Sequence, residues 1–311
     1  MASRASLAVR ITAGLLPALL TAGEPALPRG LLLDGAVSGS LAVVVGERGS
    51  VWLSRAPAAG WRQVAAPTRA TLTGVALAPP TADGANGIGW AVGHDALVLG
   101  TRDSGATWTR QFQGDNLQDS FLDVFALDSR RAIAVGAYGL YVSTRDGGAT
   151  WERRQVREGD AHLNRISRSA AGTLFLAGEA GTLLRSRDEG LNWTPLRAPY
   201  EGSFHGVLPL DRQTIIAYGL RGHLYRSADE GETWQEIAPP VVGLLATGLR
   251  LRSNLILIGG PPRALAVSRD YGRTFSLLPG APTTAVAELL ELPDGGVLAL
   301  GEGGATPVNL P

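Results

Sequence analysis

The 311-residue sequence contains no cysteine and no lysine, and all 28 of its basic residues are arginine. Without cysteine there are no disulfides, thiolate metal ligands or thiol nucleophiles. Aromatic residues make up only 6% of the chain, too few to furnish both blade packing and an exposed carbohydrate-binding shelf. The 28 basic residues are matched by 28 acidic ones, which argues against the basic surface of a general nucleic-acid binder. No apolar run is long enough to anchor the chain across a bilayer. The arginine-only usage, alongside abundant alanine, glycine and proline, reads first as base composition and second as a preference for guanidinium contacts.

What is present begins with an N-terminal leader. Arg4 and Arg10 precede the short apolar stretch 11–20, and Leu20-Thr21-Ala22 offers small residues for cleavage. The expectation is a signal peptide over 1–22 and one exported domain over 23–311. Apolar residues at 45% supply a core, and nothing resembles a linker between two domains.

A repeat then dominates the chain: Ser or Thr, any residue, Asp, any, Gly, any, Thr or Asn, aromatic. It occurs five times, with Asp103 and Trp108, Asp146 and Trp151, Asp188 and Trp193, Asp229 and Trp234, and Asp270 and Phe275 as its fixed points. The aspartates are 43, 42, 41 and 41 residues apart. A second landmark, a glycine closing a β-rich run, recurs seven times: Gly46, Gly93, Gly136, Gly178, Gly219, Gly259 and Gly301. The first unit keeps only Ser54 and Trp61 of the box, and the seventh ends before one. Four short strands per unit of about 40 residues predict an all-β, seven-bladed β-propeller of four-stranded Asp-box repeats. In the third unit the strands are expected at 121–127, 132–135, 139–143 and 151–155. Residues 24–30 are expected to complete the last blade as an edge strand, where Pro25 and Pro28 are tolerated.

The Asp box itself reads as structural. Its Asp accepts bonds from amides two or three residues on, its Gly supplies a positive φ, and its aromatic packs toward the next blade. Spread one per blade, these aspartates do not converge on a substrate.

The blocks Gly89-Trp90-Ala91-Val92-Gly93 and Ala134-Val135-Gly136-Ala137-Tyr138-Gly139, each followed by an Asp box, resemble photosystem II stability/assembly factor-like propellers, as does Leu31-Leu32-Leu33-Asp34. The resemblance covers roughly residues 24–311. It implies a non-catalytic exported factor, in the periplasm or thylakoid lumen, that assists a membrane protein or its soluble loop or tail. It also implies attachment peripheral to the membrane, and in non-photosynthetic bacteria a role beside RND-type exporters. No nucleic acid and no cofactor is expected, and the chain is read as a monomer. The family's arginine patch has no residue-by-residue match here.

Candidate docking residues lie where propellers present turns opposite the Asp boxes. The turns after the second strands carry Arg48, His94, Asp95, Tyr138, Glu179 and Arg221. The loops between blades carry the basic run Arg153, Arg154 and Arg157, with Arg110, Asp115, Glu158, Asp160, Tyr200 and Glu201 nearby. Asp34, Thr73, Asp123, Asn164, His205 and Thr247 are expected to ring the channel top, either as a peptide-docking site or as solvated walls. Arg102, Arg145, Arg187 and Arg269 are expected on the opposite rim. The four histidines, His94, His162, His205 and His223, form no local metal motif.

The alternatives are an Asp-box glycoside hydrolase of sialidase type or a carbohydrate-binding propeller. The first calls for an Arg-Ile-Pro motif that is missing, Arg165-Ile166-Ser167 being no substitute, or for two facing carboxylates such as Asp34 and Asp123.

Overall fold

The computed structural model describes residues 27–57, 60–80 and 87–310. The leader, and residues 24–26 of the expected closing strand, lie outside them. Seven antiparallel sheets follow one another along the chain: six of four strands and a last one of three. Their first strands are β1 (Leu32–Ser38), β5 (Leu72–Leu77), β9 (Phe121–Ala126), β13 (Leu163–Arg168), β17 (Phe204–Pro209), β21 (Thr247–Arg250) and β25 (Val286–Glu291). These strands line a central channel, and each four-stranded sheet pleats outward to a short fourth strand. In blade 3 the four strands are Phe121–Ala126, Ala132–Gly136, Tyr141–Thr144 and Glu152–Arg153, so the predicted elements are present and the last is shorter than expected.

The second strands are the core. Leu41–Gly46, Ala132–Gly136, Leu174–Gly178 and Ile215–Gly219 are buried along their whole length, because each is sandwiched between neighbouring blades on both faces. The apolar clusters accordingly lie between blades. Trp108 packs with Val43 and Leu53 of the preceding blade, and Trp151 against Trp90 and Val92 of blade 2. Leu32 and Val44 of blade 1 share a cluster with Leu290, Leu298 and Leu300 of blade 7, which closes the ring. Next to that seam the Pro28 carbonyl accepts the Ala305 amide at 2.9 Å. The closing segment therefore touches the outer described strand of blade 7, Gly304–Pro307, but residues 27–30 form no strand, so the expected edge strand is not seen among the described residues.

The five boxes share one geometry. In blade 2 the Asp103 carboxylate accepts the Thr107 amide at 2.8 Å and the Thr107 hydroxyl at 2.6 Å, while Thr101 Oγ1 accepts the Gly105 amide at 2.9 Å. The amide bonded in every box is thus four residues on, and Asp270 also accepts the expected amide three residues on, that of Arg273, at 3.0 Å. Two consecutive residues are left-handed, Ser104 (φ 62°) and Gly105 (φ 79°). Hydrogen bonds from the Thr150 hydroxyl and amide hold the Asp146 carboxyl down at about 2.

The recurrent glycine has a steric cause. A Cβ on Gly46, Gly93 or Gly136 would lie 2.0–2.1 Å from the carbonyl oxygen of Leu31, Thr71 or Ser120, where the first strand starts. In blade 6 the glycine in that position is Gly260, whose Cβ would meet the Leu244 oxygen at 2.0 Å; Gly259 has no such contact. The sequence landmark was one residue early there.

Candidate functional site

Opposite those glycines the first strand carries an extra residue. The register skips between Leu32 and Asp34, Leu72 and Gly74, Leu163 and Arg165, Phe204 and Gly206, and Val286 and Glu288. The bulge residues Leu33, Thr73, Leu122, Asn164, His205 and Ala287, with Ala246 in the same place in blade 6, form one ring at the upper channel mouth. All seven line a well of about 570 Å³. The next residues form a lower ring: Asp34, Gly74, Asp123, Arg165, Gly206, Thr247 and Glu288. Sequence reading merged the two rings, because a bulge moves every following side chain to the other face.

Most polar members of the expected docking ring are committed to the neighbouring blade. The Asp34 carboxylate accepts the Val75 amide at 2.7 Å, and Asp123 accepts the Ile166 amide at 2.8 Å. Thr73 Oγ1 donates to the Phe121 carbonyl at 2.7 Å, and Asn164 Nδ2 to the Phe204 carbonyl at 2.8 Å. Thr247 Oγ1 reaches the Glu288 carboxylate of the next blade at 3.0 Å. Asp34, Asp123 and Thr247 also sit below the mouth rather than at it.

Arg165 divides the channel. Its guanidinium from blade 4 crosses to pair with Glu288 of blade 7 and lies 3.9 Å from Asp34 of blade 1. Tyr218 fills the space Gly206 leaves: a Cβ there would be 2.3 Å from its hydroxyl. Burial pushes the Tyr218 phenol up to about 12 and the Asp123 carboxyl up to about 6, the latter against the pull of Arg165. Burial, then Glu288, raises Asp34 well above the carboxylate range. His205 is driven down to about 4 by burial, then by Arg165, and is neutral at ordinary pH.

Above this plug the well is walled by Leu33, Leu122, Ala246, Ala287 and Val286, with Leu31, Leu244 and Pro261 at the rim and Glu302 as its carboxylate. The apical turns surround it. Arg48, Tyr138 and Arg221 hold left-handed backbone (φ 54°, 54° and 60°), as does Asp95 (φ 60°) beside His94. Tyr138 is 61% exposed and sits edge-on to His162, which pairs with Glu179 at 3.6 Å. Sequence reading missed Arg263 (φ 58°), the corresponding arginine of blade 6, because the turn there runs Gly259-Gly260-Pro261-Pro262 and is offset by one.

The basic run does not act as a unit at this end. Arg154 is turned to the opposite rim, where its guanidinium donates to the Gly190 and Leu191 carbonyls of the blade 4 Asp box and lies over the Tyr141 ring. Arg153 is exposed on an outer strand and Arg157 is half-buried. On the lower rim, Arg102 donates to the Gly147 carbonyl at 3.1 Å and Arg187 pairs with Glu230 at 2.6 Å, each tying its box to the next. Among the described residues no cluster of His, Asp or Glu is arranged to hold a metal ion, and no helix is long and apolar enough to cross a membrane.

The model of the family described as photosynthesis system II assembly factor YCF48 matches residues 111–254, so the resemblance read from the sequence is borne out over that stretch. No curated protein sequence matches the chain. Among solved structures, one titled "YCF48 bound to D1 peptide" superposes with a TM-score of 0.71 at 20% identity, covering 91% of this chain and 93% of that one. YCF48 from Cyanidioschyzon merolae gives 0.71 at 17% identity over 90% and 95%. The WD40 propeller domain of Doa1 gives 0.68 at 11% identity over 91% and 95%. At these identities the structural likeness establishes the propeller fold.

Proposed function

We propose that this propeller, similar to the YCF48 assembly factors, is a non-catalytic factor that holds a peptide segment of a membrane protein against its upper face. The observation that carries the reading is the half-buried well at the upper channel mouth, with the exposed apical arginines Arg48, Arg221 and Arg263, which have no ion-pair partner among the described residues, around it. Guanidiniums in this setting suit carboxylates on an extended partner. A solved relative titled as peptide-bound supports the same use of the fold. The carboxylates a hydrolase would need, Asp34 and Asp123, are committed to amides of neighbouring blades and to Arg165, which favours the non-catalytic reading.

The leader motif supports export, so the site of action is the periplasm, or the thylakoid lumen in a photosynthetic host. There the protein acts as a monomer peripheral to the membrane. In a non-photosynthetic host the partner is an exporter of the RND type.

The test is a pull-down of the tagged mature protein from detergent-solubilised envelope, read by mass spectrometry. One arm carries Arg48→Glu, Arg221→Glu and Arg263→Glu, and a second carries Arg145→Glu and Arg269→Glu on the lower rim. One membrane protein retained by wild type and by the lower-rim variant, and lost from the upper-face variant, is expected. Retention of no membrane protein overturns the assembly reading, and loss only from the lower-rim variant overturns the choice of face.

A further inference from the structure

We propose that the upper channel mouth is an anchor pocket for one large apolar side chain of the docked peptide. In this arrangement the pocket, more than the arginines around it, decides which sequence is held. The inference rests on the docking reading above and adds what the site selects.

The polar groups facing the well have little left to offer a ligand. The Thr73 hydroxyl and one Asn164 N–H already donate to backbone carbonyls of adjacent blades. The floor guanidinium of Arg165 is matched by Glu288 and Asp34. His205 is uncharged at ordinary pH, and its ring makes no hydrogen bond among the described residues. Apart from the His205 ring and the Glu302 carboxylate, what remains is apolar surface, which makes up most of the wall and is contributed by Leu33, Leu122, Ala246, Ala287 and Val286. A well of about 570 Å³ accommodates a Leu, Phe or Trp side chain with the adjoining backbone. The apolar surface continues over the rim at Leu244 (39% exposed) and Val242 (87% exposed), in the connection between blades 5 and 6. Contiguous exposed apolar surface beside a pocket marks a binding site more than a solvated wall.

Charge complementarity identifies the occupant. Arg48, Arg221 and Arg263 stand on the same end in blades 1, 5 and 6, exposed and without ion-pair partners among the described residues. A segment with acidic residues on either side of an apolar one therefore matches both features. Rim charges chiefly speed encounter and are screened by salt, whereas a desolvated apolar anchor slows release.

The experiment selects a displayed random 12-residue peptide library on the tagged full-length mature protein. The best fluorescein-labelled peptide is then compared with two derivatives, one with its apolar residue replaced by Ser and one with its acids replaced by the amides. The proteins are wild type, the filled well Ala246→Phe/Ala287→Phe, and Arg48→Gln/Arg221→Gln/Arg263→Gln, each checked by its melting curve. The selected peptides are expected to share one large apolar position. Replacing it with Ser should weaken binding roughly 10–100-fold at any salt concentration, and the filled well should do the same. Loss of the acids should matter less as salt rises. The anchor replacement decides the matter even if the filled variant does not fold. Binding that changes less than about twofold on losing the anchor, but vanishes in the arginine variant, overturns the anchor pocket and leaves the docking reading standing. Selection of no peptide by wild type overturns both.

Discussion

Replacing Arg165 with Met tests the central claim that buried charge holds the ring together. The guanidinium pairs with Glu288, lies 3.9 Å from Asp34, and faces Asp123. The three carboxyl-bearing residues are only 7–8% exposed, so solvent cannot replace the lost cation. Removing one member of a buried pair costs about 3–5 kcal/mol. With an unfolding entropy of about 2.1 cal/mol/K per residue, a domain of this size should lose roughly 5–8 °C in melting temperature. The loss must also depend on pH. Asp34 and Asp123 have carboxyls raised by burial. A raised carboxyl contributes stability that is full below the ordinary carboxylate range and is lost as pH rises through its folded value. Without Arg165 these groups escape the strain by holding protons, so the penalty should be larger at pH 8 than at pH 5. Calorimetry of wild type and Arg165→Met at both pH values is the assay. Adding Glu288→Gln should recover part of the loss, a coupling of about 0.5–3 kcal/mol. An unchanged melting temperature at pH 8, or the same drop at both pH values, would refute the reasoning.

Three further outcomes are expected. Gly260→Ala should destabilise by about 1–3 kcal/mol, because its Cβ would press on the Leu244 oxygen; Gly259→Ala should cost clearly less, and equal losses in denaturant titrations would discard the corrected register. Trp151→Ala should cost about 3–5 kcal/mol through lost packing between blades 2 and 3, and an unchanged melting curve removes that role. Hydrogen bonds depress the box aspartates, Asp146 to about 2, so the stability they add is present above the ordinary Asp value and is lost as pH falls toward 2. Asp146→Asn should therefore flatten part of the acid-unfolding limb between about pH 4 and 2, and an unaltered limb counts against it.

The propeller was legible because its determinants are short-range and repeated. A box needs Ser or Thr, Asp, Gly and Thr or Asn at fixed offsets, so five copies stand out without any alignment. The glycine landmark was legible for a related reason: in each blade one carbonyl leaves no room for a Cβ. It failed in blade 6 only because two glycines are adjacent there, and the sequence does not say which one faces the carbonyl. The candidate site was less legible. Bulges leave no residue signature, so the polar residues of two rings read as one, and Asp34 and Asp123 were placed at the mouth instead of beneath it. Arg154 looked like part of a basic patch because neighbours in sequence were taken as neighbours in space. Arg165 carried a signal that went unused. It is the third residue of Leu163–Arg168, the place that Asp34, Asp123 and Glu288 hold in the first strands of blades 1, 3 and 7, and a cation there requires partners on other blades.

The placement of those partners has a consequence for how the ring opens. Blade 4 lies across the channel from blades 7 and 1, and Arg165 reaches to those two. That is where the first and last blades of the ring meet. Blade 7 has three described strands and takes its outermost contact from the Pro28 carbonyl. The seam between blades 7 and 1 closes the ring, and the strut from blade 4 adds a tie across the channel to both of its sides. In Arg165→Met, local opening should begin there. Amide exchange followed by mass spectrometry should show β25 and the strands Val297–Gly301 and Gly304–Pro307 losing protection well before β9, although β13 itself carries the substitution. If protection instead falls first around residue 165 and blade 7 keeps its wild-type rates, Arg165 stabilises its own blade and the seam is held by apolar packing of Leu32 and Val44 on Leu298 and Leu300 alone.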